Sequence, residues 1–372
     1  MPNMMDYLVW RGDVTPDRDP WNAVDCLILA TLSYLDYPAP GGMVAELAPT
    51  LGSPPEREIG FVHDARALLS ACGMTERFAA VRLHRASSVL DREKEAQFAA
   101  VTASLTDGSH VLVYRGTDNT ITGWREDFNM AFESPIPAQT LAVEYLLQAA
   151  AELEGPLLLA GHSKGGNLAV YAAAHAPADV QQRIRWIYSF DGPGLDDATM
   201  VSAGYAAVAR RICSYVPQSS VVGLLLTYHP EYTVVRSDAV SVLQHDCFSW
   251  QVLGRDFIRV TEVDVASQLV DQTVHAWLAQ ITPEQRRRFV DTFFDLLEAT
   301  GATTMKDLVR NVPANAAAIL RALPRVDLDT AKMIVSLLHR LVSIGAQNVA
   351  ELVRQRGAGE AAHDSAKGEF LP

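Results

Sequence analysis

The sequence predicts an α/β fold: a mainly parallel sheet flanked by helices, with a C-terminal helical appendage. Three observations carry that expectation. Strand-like and helix-like segments alternate through the middle of the chain, starting at the apolar run Pro156 to Ala160 (PLLLA). A short run that is apolar at every position is what a strand buried on both faces of a parallel sheet looks like. Upstream, two apolar stretches flank Asp107-Gly108, a turn signal between paired strands. Beyond about Val270 the texture is helical only.

In chain order, Gly12 to Pro20 reads as a turn region, followed by the apolar, helix-like AVDCLILATLSYL. Asp25 in that run reads as a first-turn helix charge, with a functional group as the alternative. Pro38 to Pro55, rich in Pro and Gly, reads as loops with at most a short helix. From Phe78, FAAVRLHRASSVL and EAQFAAVTASLTDGSHVLVYRGTD read as strands. Thr140 to Leu153 carries Leu141, Tyr145, Leu146 and Ala149 at helical spacing. After PLLLA come a helix from about Gly165 to His175, the strand RWIYSF, a loop from Asp191 to Gly194, a small-residue helix through Ala209 and the strand ICSYV. This alternation argues for parallel strands covered by helices. TYHPEYTVVRSDAVSVLQHD reads as two short strands turning at Arg236 to Ala239.

In the helical region, Thr282 is a good N-cap with Pro283 at the first helical position. Phe289, Val290, Phe293, Leu296 and Leu297 share one face. Two more amphipathic helices are expected around Met305 to Leu323 and Asp329 to Ile344, and a small, polar tail from Gly357. The expected organisation is a sheet domain over 1–270, a helical appendage or cap over 271–356 and a flexible tail over 357–372.

The composition narrows the function classes. With 49% hydrophobic and 20% charged residues among 372, the chain is neither disordered nor collagen-like. A formal net charge of −13 argues against a nucleic-acid partner, which would want a basic stripe. Cys26, Cys72, Cys213 and Cys247 show no CxxC spacing, so neither a zinc site nor a disulfide framework is implied, and no cofactor or metal is expected. No apolar run approaches the ~18 residues of a membrane span. The first residues lack the basic and apolar regions of a secretory signal. A cytoplasmic setting follows as the expectation.

The sharpest chemical signal is Gly161-His162-Ser163-Lys164-Gly165-Gly166, set between PLLLA and the helix NLAVYAAAH. A serine on a tight strand-to-helix turn needs small neighbours two residues away on either side, because the backbone there is strained. Such an elbow lifts the Ser163 hydroxyl clear of the sheet and aims a helix N-terminus at a developing oxyanion. This is the nucleophile elbow of an α/β-hydrolase fold. A structural turn is the plainer alternative. The second signal is Val111 to Asp118 (VLVYRGTD), followed by Gly123-Trp124-Arg125-Glu126-Asp127. An upstream strand ending in a Gly-bearing loop is where this fold takes its second oxyanion donor. The backbone N–H groups of Thr117 and Lys164 are the candidates, with the Thr117 hydroxyl assisting.

Tyr114 to Thr117 (Tyr-Arg-Gly-Thr), Gly123-Trp124, Asp127 and the downstream Gly-His-Ser-Lys-Gly-Gly resemble the class 3, fungal-type lipases. The wider chain is similar to a bacterial lipase-like family of α/β hydrolases of unknown function. It shares Met5 to Asp13, Glu126 to Met130, Phe190 to Gly194 and Gln244-His245-Asp246, a resemblance covering roughly Met4 to Leu253. The resemblance implies an esterase or lipase-type activity and names no substrate.

In this fold the triad runs Ser, acid, His along the chain. His63, His84 and His110 precede the nucleophile, His162 sits in the elbow, and His175 lies too close to it. His245, at a turn before FSW, is the favoured base. His229 in TYHPEY is the alternative, and His275, His339 and His363 fall in the helical region or tail. The class 3 lipases carry their acid in an Asp-x-Val-Pro motif. The matching stretch is Ser214-Tyr215-Val216-Pro217, without the aspartate. Asp191, at the end of the preceding strand, is the favoured acid, as in some animal lipases, with Asp238 next and no conventional acid as a third possibility.

The expected function is hydrolysis of carboxylic esters by Ser163, His245 and Asp191 through an acyl-enzyme, on a small acyl ester or lipid-like substrate. An acyltransferase using the same triad, or an inactive binding protein on this scaffold, are the alternatives. Asp13, Asp118, Asp127 and Asp246 read as solvated charge rather than a metal cluster, and Arg286-Arg287-Arg288 as a solvated face. Leu224-Leu225-Leu226 reads as either acyl pocket or core.

Overall fold

A computed structural model describes residues 1–55, 58, 60–118, 120–130, 132–220, 222, 229, 231–261, 263, 282–304, 307–308 and 312–322. The parallel strands sit where the apolar runs predict them. β4 (His110–Tyr114), β5 (Leu157–His162), β6 (Ile184–Phe190), β7 (Ile212–Pro217) and β8 (Tyr232–Val235) pair in parallel, each with the next. On the near side β1 (Gly42–Met43), β2 (Arg82–Asp91) and β3 (Ala96–Ser104) join antiparallel to reach β4. On the far side β11 (Arg259–Val260) runs antiparallel to β8. β9 (Val252–Leu253) and β10 (Asp256–Phe257) form a separate hairpin. The result is a nine-stranded sheet in the order β1-β2-β3-β4-β5-β6-β7-β8-β11.

Neighbours in sequence are therefore neighbours in the sheet. A parallel sheet wound in one direction with right-handed crossovers puts its connecting helices on one face. α6 (Pro137–Glu152), α7 (Lys164–His175), α8 (Ala178–Arg183), α9 (Asp197–Met200) and α10 (Ala203–Val208) pack there, over Leu112, Leu159 and Ile187. The other face needs a cover from elsewhere, and the segment before the sheet supplies it. α1 (Met4–Arg11), α2 (Ala23–Leu32), α3 (Val44–Leu51) and α4 (Phe61–Gly73) lie over Val111, Val113, Leu158 and Ala160. Alternate residues of β4 and β5 thus serve the two cores, as the pleat requires. With this mostly parallel sheet layered between helices, and a serine elbow at its centre, the chain adopts an α/β-hydrolase fold.

A buried ion pair holds the second face together. Arg77 and Asp25 are both fully buried, 2.5 Å apart. Arg77 spends its remaining N–H groups on the carbonyls of Val14, Asp19 and Pro20. Asp25 also accepts from Tyr7 Oη and closes a capping box with Asn22 at the start of α2. So Asp25 is a first-turn charge, and it is also the counter-ion of Arg77.

The C-terminal part joins the sheet layer through α5 (Ile121–Asn129). α11 (Pro283–Glu298), capped by Thr282, buries Phe289, Phe293, Phe294 and Leu297 against Ile121 and Phe128. It is followed by α12 (Val312–Ala322). That helix falls within the 305–323 segment expected to be helical, whereas residues 305–306, 309–311 and 323, the helix expected at Asp329 to Ile344, the tail and Leu224 to Leu226 lie outside the described residues.

Three readings need correction. The segment SVLQ is not a second strand: Ser241–His245 is a single 3-10 turn. Side-chain hydrogen bonds shape it there, since Gln244 accepts from the Ser219 N–H at 2.7 Å and donates to the Ala239 carbonyl at 3.0 Å. The first long strand begins at Arg82 rather than Phe78, because Phe78 is buried in a turn after α4. The helix expected from Thr140 starts at Pro137, with the proline in its first turn.

Candidate active site

Ser163 stands on a strained backbone between β5 and α7, with φ 59° and ψ −135°. A non-glycine residue in that region marks a position held by its surroundings. Here the Ser163 N–H donates to the Phe190 carbonyl at 2.9 Å, and its own carbonyl accepts from Gly166 N–H at 2.8 Å. A Cβ on Gly161 would lie 2.1 Å from the Gly165 backbone, and one on Gly165 would lie 2.1 Å from the Tyr114 carbonyl oxygen. The two glycines that flank Ser163 are thus required by close approach.

One strand over, Asp191 repeats the pattern. It follows β6 with φ 48°, and its N–H donates to the Tyr215 carbonyl at 2.7 Å. Its side chain is buried. One carboxylate oxygen accepts from His245 Nδ1 at 2.6 Å and the other from the Ser220 hydroxyl at 2.5 Å. Asp191 and His245, 54 residues apart, are thereby brought together. A carboxylate that accepts from Nδ1–H leaves the other ring nitrogen, Nε2, with a free lone pair.

His162 links that pair to the elbow. Its Nε2 donates to the His245 backbone carbonyl at 2.8 Å, its Nδ1 accepts from Tyr34 Oη at 3.2 Å, and its ring centroid lies 4.7 Å from that of His245. Phe61 also stacks on the His162 ring, with centroids 5.9 Å apart. Burial, and then the neighbouring His245, push the His162 pKa down to about 3, so it remains a neutral brace.

The loop after β4 closes the other side of Ser163. A Cβ on Gly116 would lie 3.0 Å from the Ser163 Cβ, so Gly116, the residue before Thr117, packs against the nucleophile candidate. The Thr117 hydroxyl donates to Asp127 Oδ2 in a short hydrogen bond. Arg115 anchors the loop by donating to the carbonyls of Ser33 and Leu35 at 2.6 and 2.9 Å. The Lys164 side chain turns back under the elbow to Glu126 and Gln97. Burial above all pushes the Asp127 carboxyl up to about 6, against the opposing pull of Lys164 and Thr117.

Other candidates lie elsewhere. His229 Nδ1 pairs with Tyr205 Oη at 2.6 Å. Asp238 meets the N-terminal ammonium at 3.2 Å and Gln251. His84 and His110 share Ser104, His63 pairs with Asp64, and His175 Nδ1 meets the Tyr171 carbonyl. His275, His339 and His363 lie outside the described residues. Asp118 caps its own turn through Thr120. No group of three or more metal-ligating side chains occurs among the described residues. No described helix is long and apolar enough to cross a membrane.

The Mbeg1-like family model matches residues 72–295, a stretch that holds the elbow, the Thr117 loop, Asp191 and His245. The chain belongs to the Mbeg1-like family. Among solved structures, this Mbeg1-like chain is similar to M37 lipase, at 14% identity over 54% of this chain and 67% of that one, with a TM-score of 0.34. It is also similar to Rhizomucor miehei lipase in its propeptide complex, at 17% identity over 51% of this chain and 65% of that one, with a TM-score of 0.31. The chain thus spans about two thirds of the length of those lipases. No curated protein matches the chain in sequence.

Proposed function

We propose that this Mbeg1-like protein is a serine hydrolase of carboxylic esters. The observation that carries the reading is a pair of strained strand ends. Ser163 and Asp191 both stand at positive φ after adjacent strands, and His245 is hydrogen-bonded to Asp191 and tied through His162 to the elbow. In this reading Ser163 Oγ attacks the acyl carbon while His245 Nε2 takes its proton. Asp191 holds the ring in that tautomer and stabilises the imidazolium. The N–H groups of Thr117 and Lys164 bind the oxyanion, an interaction worth roughly 3–4 kcal/mol per donor in comparable sites. His245 then protonates the departing alcohol, leaving an acyl-Ser163 ester. A water that gives its proton to His245 attacks that ester and releases the acid. A small acyl ester, lysophospholipid or acylglycerol is the proposed substrate class.

The test is fluorophosphonate labelling together with turnover of short and long p-nitrophenyl esters. The wild-type chain should label and turn over. Ser163→Ala should lose labelling and roughly 10⁶-fold in kcat while keeping its melting temperature within a few degrees. Turnover at the wild-type rate in that variant would end the reading. Product analysis with an added alcohol separates hydrolysis from acyl transfer.

A further inference from the structure

Lys164 does something that a residue following a nucleophile need not do. Its ammonium is buried, with only 1% of the side chain exposed. All three N–H donors are spent, on the Gln97 carbonyl at 2.8 Å, Gln97 Oε1 at 2.8 Å and Glu126 Oε2 at 2.7 Å. Glu126 is fully buried too and spends its remaining capacity on the N–H groups of Ala138 and Gln97. Burying such a pair costs several kcal/mol of desolvation per ion, and an apolar pair of the same volume is often as stable. Stability alone is therefore a weak reason for this charge.

Its position suggests another. The backbone of Lys164 begins α7 directly after Ser163, while its side chain ends beside α5, the helix that carries Asp127. Asp127 Oδ2 receives the Thr117 hydroxyl, and Asp127 Oδ1 is buried without a hydrogen-bond partner among the described residues, 3.6 Å from Lys164 Nζ. We propose that Lys164 is the positioning residue of the oxyanion hole, its buried ammonium tying the Ser163 elbow to Glu126 and Asp127 and so fixing Thr117 beside the nucleophile. This rests on the serine-hydrolase reading and adds to it a side chain that touches no substrate.

The tie predicts a pH signature. An ionised Asp127 can only accept, so it holds the Thr117 hydroxyl in one orientation; a protonated one can donate and releases it. Among the described residues, the charged and titratable groups facing Asp127 are Lys164 from α7, Glu126 on its own helix and Tyr34 from beyond α2. Arg125 is turned away to Glu95 and Asp295. Burial favours the protonated carboxyl and Lys164 favours the ionised one, so removing the ammonium raises the pH at which Asp127 ionises. Activity that needs ionised Asp127 then fails at a higher pH.

The experiment compares pH profiles of kcat/KM for a p-nitrophenyl ester in wild type, Lys164→Met, Asp127→Asn and the Lys164→Met/Asp127→Asn double variant. Lys164→Met should lower kcat at least tenfold with a smaller change in KM, and should move the acid limb up by about one pH unit or more. In the Asp127→Asn background the same substitution should not move the limb. Circular dichroism establishes folding. Should Lys164→Met leave Glu126 unpaired and unfold, Lys164→Met/Glu126→Gln carries the same readouts with both charges removed. Wild-type kcat with an unmoved limb, or an equal movement in the Asn background, would overturn the proposal. So would failure of the neutral pair to fold, since that makes the ion pair a folding requirement. A wild-type chain that neither labels nor turns over would instead sink the serine-hydrolase reading itself.

Discussion

In the proposed triad, His245 works as a base toward Ser163 in only one tautomer. Here the His245 Nδ1 contact at 2.6 Å from Asp191 selects it, and the Ser220 hydroxyl on the other oxygen keeps that carboxylate in place. Asp191→Asn keeps the shape, but its amide can donate toward Nδ1 and favour the wrong tautomer. The same change is worth about 10⁴-fold in kcat in a serine-protease triad. The expected outcome is a folded variant with an unchanged melting temperature and turnover lower by orders of magnitude; near-normal turnover would exclude Asp191 as the acid. As partners, Asp191 at the end of β6 and His245 before Phe248 were legible in the sequence, although His245 sits on a 3-10 turn and not after the expected strand. His162 and Ser220 were not. Their contacts span 83 and 29 residues, and neither a histidine inside an elbow nor a serine in Gln-Ser-Ser has a local pattern that announces a tertiary partner.

At the scale of elements, local patterns read well where one periodicity dominates. β5 opens on the continuously apolar Leu157 to Ala160, and Thr282-Pro283 announces α11. They fail where side chains override the backbone, as Gln244 does in the turn that carries His245. Asp25 lies between these cases: its place in the first turn of α2 is local, but its pairing with Arg77 spans 52 residues. That pair joins α2 to the turn after α4 and to the Val14, Asp19 and Pro20 carbonyls. Arg77→Met leaves a buried, unpaired carboxylate and should cost about 3–5 kcal/mol in urea unfolding. Asp25→Asn/Arg77→Met removes both charges and should recover part of that loss. A single variant within 1 kcal/mol of wild type would show that this face is held by packing alone.

Across the whole molecule, the one-way winding of the sheet leaves a face that the N-terminal helices cover together with Cys247, Trp250, Val252 and Phe257, and this couples the first residues of the chain to the His245 loop. Asn3 caps α1 by accepting from Met5 N–H at 2.8 Å, while its amide donates to the Phe248 carbonyl at 2.9 Å, three residues past His245. The Val252 N–H reaches the Pro2 carbonyl at 2.9 Å, and Trp250, fully buried, donates to the Gln244 carbonyl at 2.8 Å. The loop that holds the histidine is therefore stapled to α1 rather than to the sheet edge alone. Two substitutions separate the cap from the staple. Asn3→Ala removes both and should lower stability by about 1 kcal/mol, the usual worth of an N-cap. Asn3→Ser keeps a capping oxygen and is too short to reach Phe248, so its melting temperature should stay near wild type. If the staple positions His245, both variants should lose several-fold in the rate of fluorophosphonate labelling, by similar factors despite their different stabilities. Labelling that follows stability, normal in the serine variant and slow only in the alanine one, would mean that α1 supports the fold without steering the histidine.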